Sequence, residues 1–253
     1  MILCLDIGNS NLVGGVFKDQ LLLQFRHDTK KIGTSDELGI FLRSVLRENE
    51  IDYKEITKIG IASVVPYIDY TIRAACRKYI CGIDPIFLNS NTAINIKIAR
   101  KNHHEIGADL IAGAIAAKGL FANQNILVFD FGTATTACFI NKDSEFIGAS
   151  IAPGLRLMME SLHGSTAKLQ SVNIVAPKTA IGTHTKTAIQ SGVYFSQLGF
   201  ALQIINGTKQ EFNLNNEDLV VVATGGFSYL FANNKVFDHI IPELVLLGIK
   251  TIL

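Results

Sequence analysis

The residues with the most chemical content in this 253-residue chain are two aspartates, each followed two positions later by a glycine. Asp6-Ile7-Gly8 leads into Asn9, Ser10, Asn11, Leu12 and Val13, and Asp130-Phe131-Gly132 leads into Thr133, Ala134, Thr135 and Thr136. An apolar triplet precedes each aspartate and a second apolar run follows each polar stretch. A glycine at such a place lets the backbone turn sharply and approach a bulky anion. The amides and hydroxyls after it (Asn9, Ser10, Asn11; Thr133, Thr135, Thr136) can donate to phosphate oxygens. Asp6, at the end of the first apolar run, can hold a hydrated Mg²⁺ that bridges those phosphates. Asp, Gly and Asn are also ordinary turn residues, so one copy alone reads as well as a plain hairpin turn. Two related copies 124 residues apart, close to half the chain, favour a duplicated phosphate-binding turn. A third signal is Thr224-Gly225-Gly226 after the apolar run 219–223. Paired glycines at the carboxyl end of a strand let the backbone lie against a flat ring or a ribose. Alone they mark a loop; after two phosphate-type turns they fit the adenosine end of a nucleotide.

These turns require strands to carry them. Each Asp-Gly copy predicts a strand, a tight turn and a returning strand. Further strand candidates are 21–26, 59–64, 94–98, 145–150 and 219–223. A helix is expected over 35–48, where Leu38, Phe41, Leu42, Val45 and Leu46 share a face and Thr34 with Glu37 starts a capping box. Others are expected at 68–80, at 105–120, and at 186–206 with Gly207 as the stop. Hairpin strands followed by β–α alternation, performed twice, predict an α/β protein of two similar halves, 1–118 and 119–253, with a nucleotide cleft between them.

Composition narrows the function classes. Lys+Arg is 23 and Asp+Glu is 22, a net charge of +1, whereas a dedicated nucleic-acid binder carries a basic excess. No nucleic-acid partner is expected. Apolar residues make up 48% and charged residues only 18%, below the usual quarter or so, which leaves room for a buried subunit interface. Cys4, Cys76, Cys81 and Cys138 form no CxxC pair and read as packing thiols of a reducing compartment. The start MILCLDIGNSN lacks a basic leader pattern, and no uncharged apolar run approaches the roughly 18 residues of a membrane span. A cytoplasmic protein without a membrane partner is expected. His103 and His104 are adjacent and would point about 100° apart on a helix, and His27, His163 and His239 are isolated, so no histidine metal site is predicted. Ser161 and His163 lack the GxSxG context of a serine hydrolase. Tyr194, Phe195 and Phe200 fit either core or a dimer surface.

The Asp6, Asp130 and Gly225 segments resemble the two phosphate motifs and the adenosine motif of the superfamily containing actin, sugar kinases, acetate kinase and the large heat-shock chaperones, whose halves are ribonuclease H-like. Adding SVVP at 63–66, GAD at 107–109, APGL at 152–155, TAKL at 166–169 and the Thr185 segment, the whole chain resembles a type III pantothenate kinase. The resemblance implies transfer of phosphate from ATP to pantothenate, giving 4′-phosphopantothenate in the first step of coenzyme A synthesis. It further implies Mg²⁺, a monovalent cation (potassium or ammonium) and a homodimer. Carried over by position, residues 6–13 form the first phosphate loop, Asp109 is the general base, Asp130 ligates the monovalent cation and Thr133 contacts ATP. Gly107, Ala108, Asp109, Leu110 and Thr185 line the acceptor site. A primary alcohol needs a carboxylate within about 3 Å to take its proton, although an aspartate in the first turn of a helix is commonly a dipole or capping group. A sugar kinase or exopolyphosphatase on the same core is the rival that the APGL and TAKL segments disfavour.

The departures cluster on the acceptor side. Leu110 stands where the family pattern has arginine, the natural bidentate partner of a substrate carboxylate. Arg100, His103 and His184 replace the usual tyrosine, proline and asparagine, and Ser10 the usual threonine. Three explanations follow: Arg100 or another cation has taken over the carboxylate, the acceptor has changed, or a catalytically silent nucleotide-binding regulator remains. On the first, Arg100→Ala raises the KM for pantothenate at least about tenfold and leaves that for ATP alone. Steady-state kinetics with each substrate varied checks this, and an unchanged pantothenate KM removes the explanation.

Overall fold

The computed structural model describes all residues except 93–94, 99–104 and 166–168. The chain divides into two units, one of Met1–Ala116 with Leu244–Leu253 and one of Ala117–Glu243. The first contains β1 (Ile2–Ile7), β2 (Asn11–Phe17), β3 (Leu21–Asp28), α1 (Ser35–Glu48), β4 (Lys58–Ser63), α2 (Asp69–Tyr79), β5 (Ile86–Phe87) and β6 (Lys97–Ile98), and α3 (Ala108–Leu120) carries the chain out of it. The second contains β7 (Asn125–Phe131), β8 (Ala134–Ile140), β9 (Glu145–Pro153), α4 (Leu155–Gly164), α5 (Thr185–Glu211), β10 (Leu219–Thr224) and β11 (His239–Ile240). The last helix, α6 (Leu244–Thr251), belongs to the first unit, although halving by length assigns it to the second.

Within the first unit the strand order is β3-β2-β1-β4-β5, and within the second it includes β9-β8-β7-β10-β11. In both, a hairpin and a third antiparallel strand lie on one side of the central strand and parallel strands on the other. The α/β expectation is met as one topology written twice. Successive residues of the central strands β1 and β7 are buried, so both faces are covered, which explains their near-continuous apolar sequences. Leu3, Leu5 and Ile7 are fully buried with Leu38, Leu42, Leu46 and Ile72 from α1 and α2. In the second unit Phe129 and Phe131 lie among Tyr194, Phe231 and Phe237, with ring centroids of Phe131 and Phe231 4.5 Å apart.

Local signals behave as their chemistry requires. Thr34 and Glu37 form the capping box of α1, the Glu37 N–H donating to Thr34 Oγ1 at 3.2 Å and the Thr34 N–H to Glu37 Oε2 at 2.7 Å. Gly207 does not stop α5. One glycine costs a helix interior only about 1 kcal/mol, and the helix runs on to Glu211. The stop is Asn213 at φ 51, after which the Leu214 N–H returns to the Lys209 carbonyl at 2.9 Å, a left-handed C-terminal cap. Tyr194 is core, Phe200 packs edge-on against Phe129, and Phe195 is exposed. Cys4, Cys76 and Cys138 are buried packing thiols, and burial pushes Cys4 and Cys76 up to about 12; Cys81 is exposed in the turn after α2. Among the described residues no helix is long and apolar enough to cross a membrane.

α3 is apolar on all sides, with Ile111, Ala112, Ala114, Ile115 and Ala117 buried. Gly248 of α6 lets that helix approach closely, since a Cβ there would lie against the Ala112 carbonyl oxygen. The far end of α3 is held by Lys118. Its buried ammonium donates to the carbonyls of Gln124 (3.0 Å), Asn141 (3.1 Å) and Lys142 (2.9 Å), and burial lowers its pKa. Lys118→Met strips three carbonyls of a charged donor and lowers stability by about 3 kcal/mol. Urea denaturation checks this, and a change within about 0.5 kcal/mol, the range of ordinary surface substitutions, contradicts it.

Candidate active site

The first Asp-Gly turn is a hairpin held from three directions. Asp6 lies opposite Val13 on β2 and Ala62 on β4. The Gly8 N–H closes the turn onto the Asn11 carbonyl at 3.0 Å, leaving Asn9 and Asn11 exposed and Ser10 partly so. Thr29, buried at the end of β3, donates its hydroxyl to the Gly8 carbonyl at 2.7 Å and its N–H to the Ser10 carbonyl at 3.0 Å. No local sequence pattern marks Thr29; it reaches the turn because Asn11 pairs with Asp28. Ile7 and Leu12 are fully buried and Val13 partly, so the side chains of Ile7 and Leu12 serve the core while their backbones pair across the hairpin that carries the turn.

The second turn is built likewise, with a shorter loop. Asp130 lies opposite Thr136 on β8 and Thr224 on β10, and the Gly132 N–H donates to the Ala134 carbonyl at 3.1 Å. Thr133 is partly exposed at the tip, and its carbonyl accepts from the Gly154 N–H at 3.2 Å. A Cβ on Gly154 would lie 2.4 Å from the Thr133 oxygen, so the glycine that opens α4 also backs the turn. Both turns are tight, yet neither Gly8 nor Gly132 adopts a left-handed φ; a Cβ would meet Asn11 O at 3.3 Å or Asp130 Oδ1 at 3.4 Å, so bareness is what these positions supply. Thr135 is corrected as a phosphate donor. It is fully buried on the face of β8 that carries Ala137 and Phe139 into the core.

Gly225 is where conformational freedom is required. Its φ is 89, and a Cβ would lie 2.2 Å from Asp130 Oδ1 and 2.7 Å from the Phe131 nitrogen. The loop is stitched down by the Phe227 N–H to the Phe131 carbonyl at 3.1 Å and by the Ser228 hydroxyl to the Gly225 carbonyl at 2.8 Å, with Gly226 exposed at its tip. Asp130 therefore lies under the Gly225 backbone. Opposite it, Thr136 Oγ1 is buried with no hydrogen-bond partner among the described residues.

Asp109 sits in the first turn of α3, partly buried, and its Oδ1 accepts the Leu110 N–H at 2.7 Å. Burial pushes its carboxyl above the usual carboxylate range, against the pull of the Leu110 and Asp109 backbone N–H groups. Gly107 leaves room for it, since a Cβ there would stand 2.4 Å from Asp109 Oδ1. The same Cβ position lies 3.3 Å from Val64 Cγ1, and the Val64 N–H donates to the Ile7 carbonyl at 3.0 Å. Gly107, Ala108, Asp109 and Leu110 thus gather at the carboxyl end of β1 and β4, beside the first turn. Thr185 is the exposed first residue of α5, where Thr187 Oγ1 accepts from the His184 N–H at 3.1 Å. Arg100 and His103 lie outside the described residues, as do Thr166, Ala167 and Lys168 of the TAKL segment. A cleft of about 630 Å³ between α1 and α2, lined by Arg43, Tyr53 and Tyr79, contains none of these motifs.

A duplicated sheet of this order, with an Asp-Gly hairpin ending each central strand, is a fold shared with sugar-kinase-like proteins. Solved structures agree at the level of fold. A structure described as a 2-dehydro-3-deoxygalactonokinase from Sinorhizobium meliloti has TM-score 0.59 at 12% identity over 100% of this chain and 98% of its own. One described as a Baf family transcriptional activator from Campylobacter jejuni has TM-score 0.61 at 21% identity over 99% and 96%. Sequence comparison is more specific. The type III pantothenate kinase model matches residues 2–207. A type III pantothenate kinase of Legionella pneumophila (strain Paris) is 49% identical over 99% of this chain and 97% of its own length, and type III pantothenate kinase 1 of Francisella tularensis subsp. holarctica (strain OSU18) is 43% identical over 100% and 98%. The chain belongs to the type III pantothenate kinase family.

Two glycine substitutions test the second turn. Gly225→Ala forces an unfavourable φ costing about 1–2 kcal/mol and drives a methyl into Asp130. Gly154→Ala carries no such strain and displaces only the Thr133 turn. Both are expected to weaken ATP binding by more than roughly tenfold in calorimetric titration, and wild-type affinity in both contradicts a phosphate role for this turn.

Proposed function

We propose that the chain transfers the γ-phosphoryl group of ATP to the primary hydroxyl of pantothenate, releasing ADP and 4′-phosphopantothenate, the opening step of coenzyme A biosynthesis. Family membership across nearly the whole chain, together with a partly buried aspartate at position 109 beside the first turn, carries this reading. The silent-regulator alternative finds no support, because the relatives that match over the full length are named as kinases.

Phosphoryl transfer is largely a matter of positioning and charge neutralisation. In the first unit the amides and side chains of Asn9, Ser10 and Asn11 are assigned to phosphate oxygens, and Gly8, whose own N–H closes the turn, is assigned the close approach that a bare backbone allows. In the second, Thr133 has the same assignment, and Gly225 and Gly226 offer bare backbone to the adenosine end. Asp109 accepts the hydroxyl proton of pantothenate as its oxygen attacks. Gly107, Ala108, Leu110 and Thr185 shape the acceptor site, with Arg100 assigned to the substrate carboxylate that Leu110 cannot pair.

The residues fit the implied cations. Among the described residues no cluster of three acidic, histidine or cysteine side chains exists, but magnesium on a nucleotide needs only one or two carboxylates beside the phosphates and waters. Asp6 is assigned there. Asp130, the orphaned Thr136 hydroxyl and the cradle under Gly225, which a Cβ would fill, make an oxygen-only set suited to a hard monovalent cation. When bound, these ions supply positive charge against the crowded phosphates.

The homodimer is assigned to the α4–α5 face, where Leu157, Leu162, Phe195 and Leu202 are exposed although apolar. A cytoplasmic location is part of this reading, supported by the metabolic reaction and the packing thiols. No nucleic-acid or membrane partner is assigned.

Because the folded Asp109 holds its proton more tightly than the unfolded residue, its contribution to stability declines as pH rises from the unfolded value, near 3.9, through the raised folded one. Asp109→Asn is therefore expected to melt no lower than wild type at neutral pH while losing at least about a hundredfold in turnover. In wild type, the acid limb of kcat/KM for pantothenate lies above the usual aspartate range. Turnover persisting in Asp109→Asn contradicts the assignment.

A further inference from the structure

The segment linking β4 to α2 carries a hydrogen-bonded pair that the catalytic assignments leave unused. Ser63, the last residue of β4, donates its hydroxyl to Asp69 Oδ1 at 2.5 Å and accepts the Val65 N–H at 3.2 Å. Asp69 opens α2, yet the residue at the cap position, Ile68, makes no side-chain cap bond, and the Asp69 carboxylate turns instead to the strand end. Its neighbours Tyr67 and Tyr70 are 79% and 83% exposed, so Asp69 is the inward-facing polar group of this stretch. Arg73, one turn along α2, bonds both oxygens of Asp84 at 2.8 and 2.9 Å, leaving Ser63 as the hydrogen-bonding partner of the Asp69 side chain among the described residues. Burial moves the Asp69 carboxyl above the ordinary carboxylate range, with the Ser63 hydroxyl and the positive charge of Arg73 pulling the other way.

The pair braces Val64 and Val65. Val65 is buried and tied to Ser63, and Val64 is hydrogen-bonded to Ile7 and packed against Gly107, the residue whose bareness accommodates the Asp109 carboxylate. We propose that Asp69, acting through Ser63, is a positioning residue that holds the Val64–Val65 turn against Gly107 and so fixes the orientation of Asp109 toward the acceptor hydroxyl. The proposal rests on the kinase reading for its catalytic consequence but not for its structural one. A carboxylate displaced by about 1 Å loses on the order of a hundredfold in the reacting geometry, so partial loosening is expected to cost about tenfold.

The test compares Asp69→Ala, Asp69→Asn, Ser63→Ala and the Ser63→Ala/Asp69→Ala double variant by steady-state kinetics and amide hydrogen exchange. Asp69→Ala and Ser63→Ala are each expected to lower kcat with pantothenate roughly tenfold while the KM for ATP stays unchanged. The double variant is expected to be no worse than either single one, because both act on one path. Asp69→Asn keeps an acceptor for the Ser63 hydroxyl and is expected to retain most of the activity, a rescue that loss of packing alone would not give. Exchange at 107–110 rises in the alanine variants while exchange at 8–10 does not, which reads positioning without relying on turnover. Unchanged exchange at 107–110, additive losses, or an equal fall in ATP affinity overturns the proposal. Failure of the wild type to phosphorylate pantothenate, with exchange responding as described, overturns the kinase reading and leaves the positioning role supported.

Discussion

Both sheets depend on one constraint: the central strand is paired antiparallel to its own hairpin return on one side and parallel to a later strand on the other. Asp6 is thereby held between Val13 and Ala62, and Asp130 between Thr136 and Thr224. Two ladders converging on the last residues of a strand leave its terminal backbone little freedom. The turn that follows becomes a rigid cradle. An anion site made of amides and short side chains works only if its donors are already aimed, since aiming them at the moment of binding costs conformational entropy.

Other features of the site serve to keep these cradles bare and still. Thr29 ties down the first turn from β3, and Gly154 and Gly225 crowd the second from two sides without a side chain between. On the acceptor side, Gly107 has the same part for Asp109. In each place the missing Cβ admits a neighbouring oxygen or backbone, and only at Gly225 is a left-handed φ also required. The sites are thus limited by close approach more than by backbone torsion. The partly buried Asp109 carboxyl is the complementary case, in which desolvation raises the basicity that the proposed proton transfer from an alcohol needs.

Much of this was legible in the residues because it is local. The Asp-x-Gly repeat located both hairpins, the Thr34–Glu37 box located the start of α1, and the apolar run before Thr224 located β10. What could not be read is made by pairing between distant segments. Thr29 is an ordinary threonine until β2–β3 register brings it under Gly8, and Gly154 is an ordinary helix-opening glycine until β8–β9 pairing brings it against Thr133. The return of α6 to the first unit depends on Gly248 meeting Ala112, 136 residues earlier in the chain, and no periodicity records it. Gly207 shows the converse: a single glycine is too weak a breaker to end a long helix, and the stop is the left-handed cap at Asn213.

The central claim, that phosphate cradles ending two like strands serve transfer to pantothenate, is tested most directly by following the phosphorus itself. Purified protein incubated with ATP, magnesium, potassium and pantothenate is observed by ³¹P NMR as nucleotide is consumed. The account predicts that the γ-phosphate resonance is replaced by a phosphomonoester of pantothenate in equal amount with ADP. ADP accompanied by inorganic phosphate with pantothenate unaltered, or ATP that binds and is never consumed, would contradict it.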